Sequence, residues 1–369
     1  MSSKNNQNEF VQIELDFLVQ DPKQTPTDTV QAIKFAPTIP QVFAVGSWDD
    51  TIRIYQIVKD IGKRGVEQKL NINVGGPVLD FCWSSKSEYL FVLTGHPTTN
   101  FVCVSMQGGG AVSHIGHHPY GLSVLSFNTN GMEIITTLGG DKKVNFWLPV
   151  QNKWEIKFQL VLKKIPTCMD IDISSGLLVI GIECDMAFYK LERLQSGNTT
   201  VDYIDLMLKS TTTCIKIRDK AQEDEDRQFK QDNRIITVSG VDGRIYVGEY
   251  NISTFKKVED RILFKAHMRK EQLFSVNGLG FSNYSFYSMY TFSTDGTIIF
   301  WDIIKKNKLT AYLVAEDTPI TAGGLSPTHD YFVYAVGYDW SLGVWGTMKY
   351  KTKPRIIIHE MKTKDHKRS

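Results

Sequence analysis

The chain has 369 residues and lacks the marks of several protein classes. Its five cysteines are an odd number with no Cys-x-x-Cys spacing, which argues against a disulfide framework or a zinc ribbon. Cys82, Cys168 and Cys214 sit inside strand-like apolar stretches and read as small buried hydrophobes of a reducing compartment. No apolar run reaches the ~20 residues of a membrane span, and the polar opening Met1–Glu9 is no signal peptide. The expectation is therefore a soluble nuclear or cytosolic protein with no membrane partner. Charge of neither sign dominates; a net charge of +2 is not the strongly basic balance of a duplex DNA binder. Gly108-Gly109-Gly110 and Gly139-Gly140 lack the following Gly-Lys-Ser/Thr of a phosphate loop. His114, His117 and His118 form a histidine cluster, but no nearby acid or thiol completes a metal site. No nucleophile–base pair stands at a recognisable spacing. The chain reads as no enzyme, with no cofactor and no metal.

What is present is a phrase that returns along the chain. Thr291-Phe292-Ser293-Thr294-Asp295-Gly296-Thr297-Ile298-Ile299-Phe300-Trp301-Asp302 is its fullest copy, and Gly46–Tyr55 the first. Gly139–Trp147, Gly240–Val247 and Gly337–Trp345 repeat it, and Gly181–Tyr189 and Leu93–Cys103 are weaker versions. Each full copy has an acid at a turn, then apolar residues two apart, then an aromatic. Alternation of that kind suits a strand with a buried face, and Asp-Gly suits a tight turn because glycine accepts positive φ. A spacing of about 40–45 residues ending in Trp-Asp-like pairs is the signature of a β-propeller. The copies end at residues 55, 103, 147, 189, 247, 301 and 345, which predicts an all-β, single-domain, seven-bladed WD-repeat propeller, with six blades the alternative because the second and fourth copies rest on spacing as much as on residues. Val30–Phe35, Val78–Trp83 and Val276–Phe281 share a template with small residues in the middle, suiting the innermost strands.

The propeller is expected over residues 1–348, followed by a basic extension over 349–369 with room for one further strand at 355–358. The tail from Lys349 to Ser369 carries eight Lys/Arg against two acids. A ring must close on itself or expose sheet edges. Alternating Val11, Ile13, Leu15 and Phe17 predict an outer strand for the last blade, with Ile356-Ile357-Ile358 competing for the same place. Asp219–Arg227 is a polar run read as a surface loop of the fifth blade, and Ala266–Glu271 is a shorter charged insertion. His267, Asp295 and Trp301 read as an internal hydrogen-bond network of the sixth repeat, and His118 as a structural histidine before an inner strand.

Binding residues are then sought at turns and on faces. Trp48 is a large aromatic in a turn where a smaller residue is usual; it is either packed on a neighbouring loop or offered as an anchor. Arg244 follows an Asp-Gly turn, either solvated or presenting its guanidinium to a partner's carboxylate. Phe264, Trp301, Lys305 and Lys306 mix aromatic and cationic groups in a way that suits single-stranded RNA. Core packing of Phe264 and Trp301 is the competing reading.

Ala44-Val45-Gly46-Ser47-Trp48, Gly76–Trp83, Phe264-Lys265-Ala266-His267, Val276–Phe281 and Tyr338-Asp339-Trp340-Ser341 together resemble the messenger-RNA export factor family of nuclear-pore-associated WD-repeat proteins. The resemblance runs from about Asp28 to Trp345. It implies a seven-bladed propeller that docks a short hairpin, the GLEBS motif, of a phenylalanine-glycine nucleoporin on one face. It further implies a place at the nuclear envelope and pore, with some protein in the cytoplasm, as a monomer within a heteromeric complex concerned with messenger ribonucleoprotein. The sister family, Bub-type spindle-checkpoint propellers that bind kinase hairpins, shares Ser47-Trp48 and Gly243-Arg244-Ile245. In both families those positions belong to the hairpin-binding face, which favours Trp48 and Arg244 as partner contacts here. The last repeat and Gly76–Trp83 favour the export family. Pro97 and Cys103 depart from the repeat in the second copy.

Overall fold

The computed structural model describes residues 16–19, 24–60, 63–151, 153–206, 208–218, 232–258, 262–269, 271–282, 287–303, 305, 307–314, 318–349 and 353–361. The described residues form seven four-stranded antiparallel sheets and one two-stranded hairpin. The first blade, from the axis outward, is Val30–Ala36, Ile39–Ser47, Thr51–Asp60 and Lys63–Asn73. Blades two to six repeat that order, with inner strands Val78–Trp83, Gly121–Thr129, Pro166–Asp172, Thr212–Ile217 and Val276–Phe281. The protein is a seven-bladed β-propeller.

Buried apolar side chains divide into seven clusters, and each lies between two neighbouring blades. A middle strand therefore buries both faces. Ile298 and Phe300 point to the last blade, while Ile299 and Trp301 point to the fifth. This corrects the one-faced alternation expected for Thr297–Trp301. The physical reason is that a blade is sandwiched, so its middle strands need apolar residues at successive positions. Leu177–Ile182 and Tyr331–Val336 are buried throughout for the same reason.

The last blade departs from the repeat reading. Its third strand is Arg355–Glu360, paired with Tyr331–Val336 on one side and with Asp16–Leu18 on the other. Ile356–Ile358 therefore fills the third place instead of competing for the outer one, and the outer strand comes from the N-terminal side of the chain. Residues 11–15 lie outside the described residues. The propeller runs through Glu360, past the boundary expected at residue 348. Trp345, expected to end a third strand, lies in the short helix Val344–Lys349 and is 77% exposed. Gly343 at φ 57° turns the chain away from the sheet before that helix begins.

The fifth blade holds another departure. Val247 was expected at the aromatic position, but Gly248 stands six residues after the turn acid Asp242, where Trp301 stands relative to Asp295. Tyr246 and Tyr250 fill that space and bond through their hydroxyls. The Asp219–Arg227 loop lies outside the described residues. Ala266–Glu271 contributes to a small hairpin, with Met268–Arg269 pairing Gln272–Leu273.

Candidate partner-binding face

In each blade the turn between second and third strands shares one face of the ring with the connection entering the inner strand. Four of those turns are built alike. The backbone N–H groups of Lys143, Arg244, Thr297 and Ser341 donate to Asp141, Asp242, Asp295 and Asp339 at 3.2, 3.3, 3.0 and 3.1 Å. An aspartate is needed because its short side chain reaches a backbone N–H two residues on. The residue after the acid takes positive φ: Lys142 at 67°, Gly243 at 72°, Gly296 at 73° and Trp340 at 59°. Asp50, after Asp49, does so at 64° in the first blade.

Two of the turns are pinned from inside by a histidine. His267 Nδ1 lies 3.2 Å from Asp295, and its Nε2 lies 2.9 Å from Thr291 Oγ1, which accepts from Trp301 Nε1 at 2.9 Å. Burial would raise the Asp295 carboxyl, but the bonds and charge from His267 and the bonds from Thr297 outweigh it and hold it below the ordinary range. Blade three repeats the scheme with the ring nitrogens reversed. His118 Nε2 faces Asp141 at 3.2 Å, Nδ1 faces Thr137 at 2.7 Å, and Trp147 Nε1 donates to Thr137 at 2.8 Å. Burial pushes His118 below its usual range, so a neutral ring donates to the acid and accepts from the hydroxyl. These groups fix the turns from inside.

The first and last blades meet on this face in an aromatic junction. Trp48 stacks on Trp340 with ring centroids 6.0 Å apart and planes 18° from parallel, and the Tyr338 ring lies 5.5 Å from that of Trp340. Trp48 Nε1 donates to Gln31 Oε1 at 3.1 Å, and Trp340 Nε1 donates to Thr29 Oγ1 at 3.1 Å. Trp340 keeps 37% of its surface exposed and Trp48 is half-buried. Beneath them Arg53 and Asp49 form a buried ion pair at 2.9 Å. Burial raises the Asp49 carboxyl, but bonds from Thr51 and Thr27 and the Arg53 charge bring it below the ordinary range.

Gln31 connects the junction to the channel mouth. All seven inner strands break register at their second residue, and the seven residues so displaced, Gln31, Leu79 and Leu122 among them, line the axial channel. Its volume is about 560 Å³. Deeper down, Lys34 pairs with Asp80 at 2.7 Å and Lys216 with Asp170 at 3.0 Å. Burial would depress the Lys216 ammonium, but Asp170 more than offsets it and holds the group above its ordinary value. Each carboxylate also accepts a backbone N–H of the following blade at 2.9 Å, from Val124 and Ile217. The channel cations are thus neutralised within the wall.

The expected site residues fall into two groups. Trp48 and Arg244 lie on the face just described, in blades one and five. Arg244 is bonded to Asp242 of its own turn and keeps 29% of its side chain exposed. Phe264 and Trp301 do not form an open stacking platform. Their rings meet edge to face at 5.0 Å in the core between blades five and six, and Trp301 is 4% exposed. The competing reading, core packing, describes Trp301 because its indole must reach Thr291 inside the blade. Lys305 is 75% exposed and stands 3.6 Å from Asp302 in the turn after the third strand, on the opposite face; Lys306 lies outside the described residues. Sequence reading missed Trp340 as the partner of Trp48. The signal was present, because Asp339-Trp340 occupies the turn position of Asp49-Asp50, and ring closure brings the last turn beside the first.

No protein-family model matches the chain. Curated relatives do. The chain is 27% identical over 360 residues to the mRNA export factor rae-1 of Caenorhabditis elegans, covering 94% of this chain and 88% of the relative. It is 25% identical over 350 residues to the mRNA export factor GLE2 of Chaetomium thermophilum, covering 90% and 88%. The chain is a relative of the messenger-RNA export factors. The WD40 repeat protein poxJ of Penicillium oxalicum is 24% identical over 344 residues, covering 90% of this chain and 91% of its own, in keeping with the seven-bladed fold. The rae-1 alignment takes in 94% of the chain and so extends over both halves of the Trp48–Trp340 junction.

Proposed function

We propose that this propeller is a non-enzymatic adaptor in messenger-RNA export, working at the nuclear pore. Two relatives are named mRNA export factors, and the alignments cover most of both chains. In this reading it holds a GLEBS-type hairpin of a phenylalanine-glycine nucleoporin on the face that carries the Trp48–Trp340 stack. The observation that carries the reading is that stack. Two indoles are fixed by hydrogen bonds on their edges while part of their surface stays open, which is the arrangement of a rigid aromatic anchor. Arg244 has exposed surface left after bonding Asp242, and supplies a charge-assisted contact to an acidic residue of the hairpin.

A pull-down with the chain and its Trp48→Ala/Arg244→Ala variant tests this. The expected result is a phenylalanine-glycine nucleoporin held by the natural chain and lost by a variant that melts normally. An unchanged set of partners would contradict the choice of face.

A further inference from the structure

The last blade carries an element that the hairpin reading leaves unused. Its turn on the partner-binding face does not close in a few residues; it runs on from Tyr338 through the helix Val344–Lys349 before the chain returns at Arg355. Four bulky apolar side chains stand in the solvent there: Leu342, Val344, Trp345 and Met348, all more than half exposed. The element is nevertheless anchored. Tyr338 Oη donates to Gly343 O at 2.5 Å and accepts from Leu342 N at 3.0 Å. Gly346 lies flush on the Tyr338 ring; a Cβ there would stand 2.0 Å from Cζ and Oη. The same Tyr338 ring packs on Trp340, so the buried tyrosine ties the helix to the Trp48–Trp340 stack.

Charge sets the chemistry of what covers it. From Leu342 to Arg355 the sequence has no acid, while Lys349, Lys351, Lys353 and Arg355 follow the apolar group. Lys353 and Arg355 are exposed. We infer that this element is a second docking ledge for the bound partner, taking a segment in which bulky apolar side chains are followed by acidic ones. The inference rests on the hairpin reading and adds to it. The Trp48–Trp340 stack anchors one part of the partner, and Trp345 with Met348 clamps a further segment beyond the blade closure.

The test uses the full chain and a recombinant nucleoporin segment that contains a GLEBS-type hairpin, titrated by calorimetry. Trp345→Ser/Met348→Ser changes exposed groups only, so folding should be untouched. It is expected to weaken binding about tenfold or more, as loss of an aromatic anchor does. Gly346→Ala, which forces the helix off Tyr338, should weaken it in the same direction. Lys353→Gln/Arg355→Gln should flatten the salt dependence of the affinity. If Trp48→Ala weakens binding and the Trp345/Met348 variant binds as the natural chain does, the ledge is wrong and the hairpin reading stands. If the natural chain does not bind the segment, both fall. Sedimentation with phosphatidylserine vesicles that needs Trp345, alongside unchanged hairpin affinity, would overturn the inference in favour of a lipid surface.

Discussion

Thr291 shows how much a single hydroxyl does in this fold. It stands between His267 Nε2 and Trp301 Nε1, both buried. Thr291→Val keeps the shape and leaves those two groups facing a methyl. Each orphaned buried group costs about 1–3 kcal/mol, so the expected loss for two is roughly 2–6 kcal/mol, read from denaturant unfolding. A loss below half a kcal/mol would mean that the network is dispensable. Asp295 adds a pH dependence. Its carboxyl lies below the ordinary 3.8 when folded, so its stabilising contribution is full above that value and is lost as pH falls through the folded value. Asp295→Asn is expected to unfold less steeply than the natural chain below pH 3.8, though from a lower starting stability. The type and spacing of these residues were legible in the sequence, because His, Asp and Trp recur in fixed places of the repeat. Which aromatics face outward was not. Trp301 and Trp48 look alike as letters, and only the blade geometry sends one into the core and the other to the surface.

At the scale of elements, the last blade is where local pattern misleads. Tyr338-Asp339-Trp340-Ser341 has the turn chemistry of the other repeats, and Ser341 N does bond Asp339. The third strand fails to follow because Gly343 at positive φ and the helix after it divert the chain until Arg355. A run of three isoleucines without polar alternation reads as an edge or an extension. It is a middle strand, apolar at each position because blades cover both faces. Ile358 sits between Phe17 and Val333 in register and is fully buried in the cluster that joins the last blade to the first. Ile358→Ala is expected to cost about 2–5 kcal/mol as a core truncation, measured as lower denaturant resistance. A loss confined to a few tenths would place this strand outside the cooperative core.

For the whole molecule, the seven inter-blade clusters make a rigid ring with no hydrophobic centre of its own, since the axis is a channel. Such a body offers two faces and little else, and the face that holds the Trp48–Trp340 stack also holds the exposed helix of the last blade. The opposite face takes Lys305. The fold class and the blade number were readable from the repeat period. The junction was readable only in halves, because its two tryptophans lie nearly three hundred residues apart and meet through ring closure. Partner binding is assigned to that face. Hydrogen–deuterium exchange of the chain with and without a nucleoporin hairpin segment tests it most directly. Slowed exchange is expected at the turns around Ser47–Thr51 and Tyr338–Leu342, with the opposite turns at Ser84–Glu88 and Asn128–Gly131 unchanged. Protection confined to those opposite turns, or absent altogether at hairpin saturation, would contradict it.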